Sequence, residues 1–410
     1  MAWSEHLGGN KYKIVERDPS KASRPKRSIT VEMPLEVANS RVTKKKEVWL
    51  GLQEEKWNEL VINGKYQDKG KNRGRSKKKT FSDFVPTWMK VYAEPNMSGE
   101  TIFNTKNIIE SRLIPQFGDS WLDEITTLEL AIWFAELKNL KNGKPLATNT
   151  KLNIYKAIKS IFDKAHEWGV IESNPMDGVE RPSANKKEKK KMKDVKQNYT
   201  KAEVAKLLLA MYRLPVRWRL YFTGVMLGGF RRGEFLAVEL KNLDYRQSMI
   251  YIEKQITIDK EGNKVESEVK TIESEGWVPM PKWYMDELKR YERLWRKEKM
   301  LCNRAWLAEE GKQYLFHGGT GVMYYPSTAT NTWSKFLKKN KFPHVKLHGL
   351  RHTAATLLRE HGADQRNIQK FLRHAKMETT DRYTHEAETV SRSLIAPLEA
   401  MDPRLPKFAP

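Results

Sequence analysis

Apolar positions along this chain recur at two different periods, and the changes of period divide it into segments. In the first, about residues 10–66, Tyr12 and Ile14 alternate with polar neighbours, as do Ile29 and Val31. A period of two predicts two short strands. Val48, Leu52, Trp57, Leu60 and Val61 follow at near-helical spacing and predict a helix over 44–62. In the second segment, about residues 80–183, the period is helical throughout. Phe81, Phe84, Trp88 and Val91 predict one helix, and Ile108, Ile109 and Leu113 a second that ends near Pro115. Residues 128–137 predict a third, and residues 148–168 a fourth that stops at Gly169. The third segment, about residues 198–397, opens with helices, where Thr200 and Glu203 form a capping box. It turns to strands around 249–258, 264–272 and 276–280, with a hairpin turn at 259–263, and returns to helices after Pro281.

The expected architecture is therefore multidomain and mainly α with small β-sheets. A small ββα-type domain occupies 1–68, a helical domain 80–183, an α+β domain 198–397 and a tail 398–410. Two basic runs separate the segments, KGKNRGRSKKK at 69–79 and NKKEKKKMKDVK at 185–196. Neither has an apolar period, so both read as flexible or DNA-tracking connectors. Seventy-five Lys and Arg against 51 Asp and Glu give a net charge of +24. That excess points to a polyanionic partner, because each neutralised phosphate releases a condensed counterion. No apolar run approaches the roughly 18 residues of a membrane span, so no membrane partner is expected. Met1–Asn10 has no secretory pattern. Cys302 is the only cysteine, which removes an internal disulfide and fits a reducing, cytoplasmic, nucleoid-associated setting.

Six of the nine histidines lie between His344 and His385, yet His348 alone begins an H-x-x-R, in KLHGLRHTAATLL. His348 and Arg351, three apart near a helix start, can point to one side. Leu350, Ala354, Leu357 and Leu358 give that helix a buried stripe, with Gly362 as its stop. Downstream, FLRHAKMETTDRYTH places His374 nine residues before Tyr383. Upstream, LGGFRRGEF carries Arg231 behind a glycine pair, and VKTIESEGWVP puts Lys270 near a turn.

This order resembles that of the tyrosine recombinases, the phage-integrase family. GFRRGE is similar to the family's first arginine box, with Arg231 catalytic and Glu234 its support. HGLRHT resembles the second box, carrying His348 and Arg351. LRHAKMETTDRYTH resembles the third, carrying His374 and the nucleophile Tyr383. The resemblance covers essentially all of the third segment. The second segment resembles the core-binding domain, and the first looks like an arm-binding domain. Two departures stand out: Arg373 occupies a usual glycine position, and Gly276 stands where many relatives carry a basic residue.

The resemblance implies DNA cleavage and religation through a 3′-phosphotyrosine, with Lys270 protonating the leaving 5′-oxygen. It implies double-stranded DNA with core and arm sites, a homotetramer on DNA, and a host DNA-bending protein and excisionase as further partners. It implies neither cofactor nor metal. Three other readings stay open. A DNA-binding regulator without catalysis would use 364–374 and 378–384 as a helix-turn-helix. A metal enzyme would use His344, His348 and His352. A type IB topoisomerase would share the chemistry. Leu394, Ile395 and Leu398 predict a short terminal helix, expected either to dock on a neighbouring protomer or to pack on its own domain.

Overall fold

The computed structural model describes residues 2–17, 26–39, 43–62, 78–271, 274–373 and 395–405. It divides into two compact units. One comprises Met1–Phe84, Gly118–Thr126 and Ala165–Asn174; the other comprises Val85–Phe117, Thr127–Lys164 and Pro175–Pro410.

In the first unit, β1 (Trp3–Gly8), β2 (Lys11–Arg17) and β3 (Lys26–Glu32) form an antiparallel sheet in the order β1-β2-β3. Tyr12 lies opposite Val31 and Ile14 opposite Ile29. The helix α1 (Thr43–Ile62) covers the sheet with Trp57 and Val61, both buried against Ile14. The expected strands and helix are present, with β1 as an unforeseen third strand. Its last four residues are exposed, so its sequence carries no alternating burial pattern. Val48 and Leu52 are exposed, because only the C-terminal half of α1 is covered.

The second unit begins within α2 (Phe81–Trp88). Helical backbone continues through a π turn at Met89–Ala93 to Asn96. α3 (Gly99–Ile108) likewise continues through a π turn at Ile109–Leu113 to Phe117, past the end expected at Pro115. Each π turn lies just before a proline, Pro95 or Pro115. The wider turn relieves the clash of a proline ring with the carbonyl four residues back, so the proline does not end the helix. α4 (Thr127–Glu136) and α5 (Thr148–Glu167) match expectation.

One expected connector is partly a helix. α6 (Lys186–Asp194) starts at a capping box in which Asn185 accepts from the Glu188 N–H and Glu188 returns the bond. Thr148 also donates to Glu188, at 2.8 Å. Lysine and glutamate are good helix formers, so a capped run of them needs no apolar stripe to be helical.

α7 (Lys201–Met211) opens on the expected Thr200–Glu203 box. α8 (Val216–Gly228) is buried from Leu220 onward and is the spine of the large core. Beyond the short α9 (Arg232–Leu236), the chain enters two small antiparallel sheets. β4 (Leu243–Asp244), β5 (Met249–Ile252) and β8 (Gly276–Pro279) form the first; β6 (Lys254–Ile258) and β7 (Lys264–Glu268) form the second. The strand expected over 249–258 breaks at Glu253, and its halves join different sheets. Asp259 closes the β6–β7 hairpin by accepting from the N–H groups of Glu261 and Asn263. α10 (Lys282–Cys302), α11 (Pro326–Lys339), α12 (Gly349–Glu360) and α13 (Gln365–Phe371) complete the layer around α8.

After α13 the description resumes at Ile395, and Ala396–Glu399 is a single helical turn. Ile395, Leu398 and Met401 are buried in the unit's own core, and Trp283 Nε1 donates to the Leu398 carbonyl at 3.2 Å. The tail thus packs in cis here, because its apolar stripe meets a ready cover in Trp283. Leu394 lies outside the described residues.

A buried histidine makes this core pH-sensitive. His317 is fully buried, and its Nδ1 accepts from the N–H groups of Gly319 (3.0 Å) and Gly321 (3.1 Å). Two donors aimed at Nδ1 leave no room for a proton there. Burial pushes its pKa down to about 4, with Glu298 opposing and Arg217 reinforcing the shift. The unfolded chain therefore binds a proton that the folded chain refuses. Stability is full above about pH 6.5 and falls as pH drops toward 4, by roughly 3 kcal/mol. Thermal melts between pH 7 and pH 4.5 should show this loss, and His317→Asn should flatten it. An unchanged slope in the variant would contradict the assignment.

Candidate active site

The first arginine box is shaped by two glycines. Gly229 ends α8 at φ +60°, and a Cβ there would lie 2.3 Å from Leu372 Cδ2. Only glycine meets both demands without strain. Phe230 turns back into the core and stacks on Phe235 with centroids 4.4 Å apart. Gly233 passes so close to β6 that a Cβ would come within 2.5 Å of the Ile256 carbonyl oxygen. Between them Arg231 caps α9, where its N–H donates to Glu234 Oε2 at 3.0 Å and its Nη1 to Glu234 Oε1 at 2.6 Å. Glu234 is 2% exposed, while the Arg231 side chain is 28% exposed.

The second box begins α12. Leu350, Ala354, Leu357 and Leu358 form the expected buried stripe. His348 precedes the helix, is exposed, and its ring meets that of His352 edge-on at 5.2 Å. The Arg351 N–H donates to the His348 carbonyl at 3.1 Å. The Arg351 side chain turns inward, where Nη1 donates to the Gly229 carbonyl and Nη2 to the Leu372 carbonyl. It has no ion pair with a described residue. His344 lies before the helix. Among the described residues, no three His, Cys, Asp or Glu side chains converge as a metal site.

Two residues complete the cluster that sequence reasoning did not assign to it. The first is Arg373, which stands at the usual glycine position. Its backbone does adopt φ +54°, a conformation that costs a non-glycine residue roughly 1–2 kcal/mol. Its side chain, however, is buried. Nη2 donates to Glu234 Oε2 at 2.9 Å, Nη1 to the Ser274 carbonyl at 3.1 Å, and the guanidinium lies over Phe230 at 5.4 Å. Ser274, fully buried, accepts from Arg231 Nη1 at 2.8 Å. Arg231 Nη2 in turn donates to the Arg373 carbonyl at 3.2 Å. The break in the glycine pattern was the one available signal for Arg373; nothing in the sequence around Ser274 marked it.

The cluster holds three guanidinium groups and one carboxylate. Burial alone would raise the pKa of Glu234, but the charge of Arg373 and then the bonds and charge of Arg231 hold it below the usual carboxylate value. Burial, followed by the like charges of Arg231 and Arg373, pushes Arg351 down to about 9, with Glu234 opposing. Three guanidinium groups around one carboxylate leave the cluster with a positive excess that an anion would relieve.

The structure thus brings together Arg231, Glu234 and Arg351, and sets His348 at the start of the helix that carries Arg351. Lys270 is exposed in the β7–β8 connection and makes no bond to the cluster, although Ser274, four residues on, does. Gly276 opens β8. His374 and Tyr383 lie outside the described residues, as does the second helix of the regulator reading. Because Glu234 pairs with two cations in a dry site, Glu234→Gln should cost about 3 kcal/mol of folding stability in urea titrations. A loss below about 1 kcal/mol would contradict the pairing.

The phage integrase family model matches residues 197–389, and the model of the phage integrase N-terminal SAM-like domain matches residues 80–138. A tyrosine recombinase XerC-like protein of Caldanaerobacter subterraneus is 28% identical over 259 residues, 60% of this chain and 64% of that protein. This chain therefore spans just under two thirds of that relative's length. The ICEBs1 integrase of Bacillus subtilis is 26% identical over 318 residues, 75% of this chain and 80% of its own. In fold, the Tn1549 transposon integrase in complex with circular intermediate DNA superposes with TM-score 0.57 at 17% identity, covering 77% of this chain and 99% of that one. A lambda integrase tetramer bound to a Holliday junction gives 0.54 at 16% identity, covering 93% and 99%. This chain thus carries phage integrase family domains over residues 80–138 and 197–389.

Proposed function

We propose that this chain is a site-specific recombinase that integrates and excises a mobile element by cutting and rejoining DNA through a covalent 3′-phosphotyrosine at Tyr383. The observation that carries the reading is the positive excess of the cluster: three guanidinium groups, one carboxylate, and an Arg351 with no ion pair among the described residues. A scissile phosphodiester supplies the missing anion.

Attack on phosphorus builds negative charge on the nonbridging oxygens of a five-coordinate transition state. Arg231 and Arg351 present planar, paired donors to those oxygens, a geometry lysine lacks. Their terminal nitrogens now hold the carbonyls of Gly229, Leu372 and Arg373, so engaging a phosphate means exchanging some of those bonds. His348 and His374 add donors, and His348 assists proton transfer from the tyrosine. A free phenol has a pKa of about 10, so the cationic site is what favours its anion. Lys270, exposed and therefore free to swing toward DNA, protonates the departing 5′-oxygen. The tyrosyl ester conserves the energy of the phosphodiester, so neither ATP nor a metal is needed.

The segment 80–183 and the segment 198–397 bind the core site, and residues 1–68 bind a separate arm site. Four protomers act together on two duplexes; the lambda integrase tetramer on a Holliday junction supports this by analogy. A host bending protein and an excisionase set direction, and the setting is the bacterial nucleoid. No helix among the described residues is long and apolar enough to cross a membrane.

The test uses a nicked duplex whose core sequence is read from the chromosomal junctions of the element. The wild-type chain should form a covalent adduct in the presence of EDTA, and Tyr383→Phe should abolish it while retaining binding. Arg351→Ala should slow it about 1000-fold. Tight binding with no adduct would favour the regulator. Deleting residues 1–66 should abolish integration on arm-bearing sites and spare core cleavage; loss of both would sink the division of labour.

A further inference from the structure

Four buried or half-buried groups close into a ring that draws on three separate parts of the sequence. Arg231 bonds Glu234 (2.6 Å), Glu234 bonds Arg373 (2.9 Å), Arg373 bonds the Ser274 carbonyl (3.1 Å), and Ser274 Oγ bonds Arg231 (2.8 Å). The Arg373 carbonyl adds a direct bond to Arg231 Nη2 (3.2 Å). Arg231 belongs to the first arginine box. Ser274 lies four residues after Lys270 and is held by Thr271, with hydroxyl oxygens 3.0 Å apart. Arg373 immediately precedes His374 in the chain.

We propose that Arg373 is a positioning residue of the recombination reaction. Its side chain fixes the Glu234 carboxylate that aims Arg231, and it holds Ser274, four residues after Lys270. This inference rests on the recombinase reading.

Three features support it beyond simple packing. A guanidinium buried to this degree is costly unless paired, and Arg373 is paired with the same carboxylate that orients Arg231. The two Glu234 oxygens divide their work: Oε1 takes Arg231 Nη1, while Oε2 takes Arg373 and the Arg231 N–H. Without Arg373, Oε2 loses a charged donor, and the carboxylate is free to rotate toward Arg231 alone. The backbone conformation is also one that glycine would adopt without strain, so arginine here carries a conformational cost that its side-chain bonds offset. Arg373 would not touch the reacting phosphate; it would act through Arg231 and through Ser274.

The experiment measures adduct formation on the nicked core-site duplex for the full-length wild type, Arg373→Gly and Arg373→Lys, alongside core-DNA affinity. Arg373→Gly should slow the covalent step roughly 10–100-fold with affinity changed less than about 3-fold, since misplacement of a catalytic group acts on rate. Guanidinium ion at tens of millimolar, roughly the range needed to occupy the emptied cavity, should restore part of that rate. Sodium chloride at the same concentration should not. An Arg373→Gly rate at or above wild type, as expected if glycine merely relieved strain, overturns the proposal. So does a matched loss of rate and affinity that guanidinium does not move. Should Arg373→Gly fail to fold, Arg373→Lys decides: it keeps the charge but loses the two-pronged donor, so its rate should fall with binding intact, and an unchanged rate overturns the proposal. No adduct from the wild type would instead overturn the recombinase reading, and this inference with it.

Discussion

A carboxylate buried among guanidinium groups sets the terms for the rest of this molecule. Glu234 is 2% exposed and pairs with both Arg231 and Arg373, so the three form one electrostatic unit whose parts are costly to separate. Among the described residues, Arg351 stands beside that unit with only main-chain carbonyls for partners. The result is a positive excess in a low-dielectric setting, where charges act more strongly than in water. Such an arrangement favours whatever brings negative charge to it, and favours it more as that charge grows. A reaction in which phosphorus passes through a more anionic state gains from this site.

The fold serves that unit at close range. Gly229 lets α8 end where its carbonyl faces Arg351 and leaves room for Leu372, and Gly233 lets α9 pass against β6. The core around α8, with Trp333, Tyr284 and Trp295 each donating to a main-chain carbonyl, makes the backbone under the cluster rigid. Rigid support matters because guanidinium geometry is directional, and a small displacement loses the paired contact.

Much of this was legible in the sequence, and the reasons for the exceptions are physical. Helices with a strong apolar stripe, such as α5 and α12, were placed to within a residue or two, and the Thr200–Glu203 cap was read directly. Arg231, Glu234 and Arg351 were found because GFRRGE and HGLRHT resemble the family's two arginine boxes, each a short local motif. What escaped was decided by tertiary contact or by local chemistry outside the apolar pattern. β1 has little burial to pattern it, and the break at Glu253 is set by which sheet each half joins. The helix at Lys186–Asp194 depends on a cap rather than a stripe. Arg373 and Ser274 meet the cluster across long sequence distances, so no local window could show that an arginine in a glycine position returns to Glu234. His374 and Tyr383 stand as sequence inferences, since they lie outside the described residues.

The central claim is that the guanidinium groups act on the charge of the scissile phosphate. A core-site duplex carrying a neutral methylphosphonate at the mapped cleavage position removes that charge and leaves the rest of the substrate intact. The most direct measurement compares the adduct-forming rates of wild type and Arg351→Ala on this duplex and on the ordinary one. The account predicts that the penalty for losing Arg351 shrinks by at least about tenfold on the neutral substrate, because the two changes remove the same interaction. An equal penalty on both duplexes would mean that Arg351 serves only the fold, and would contradict the account.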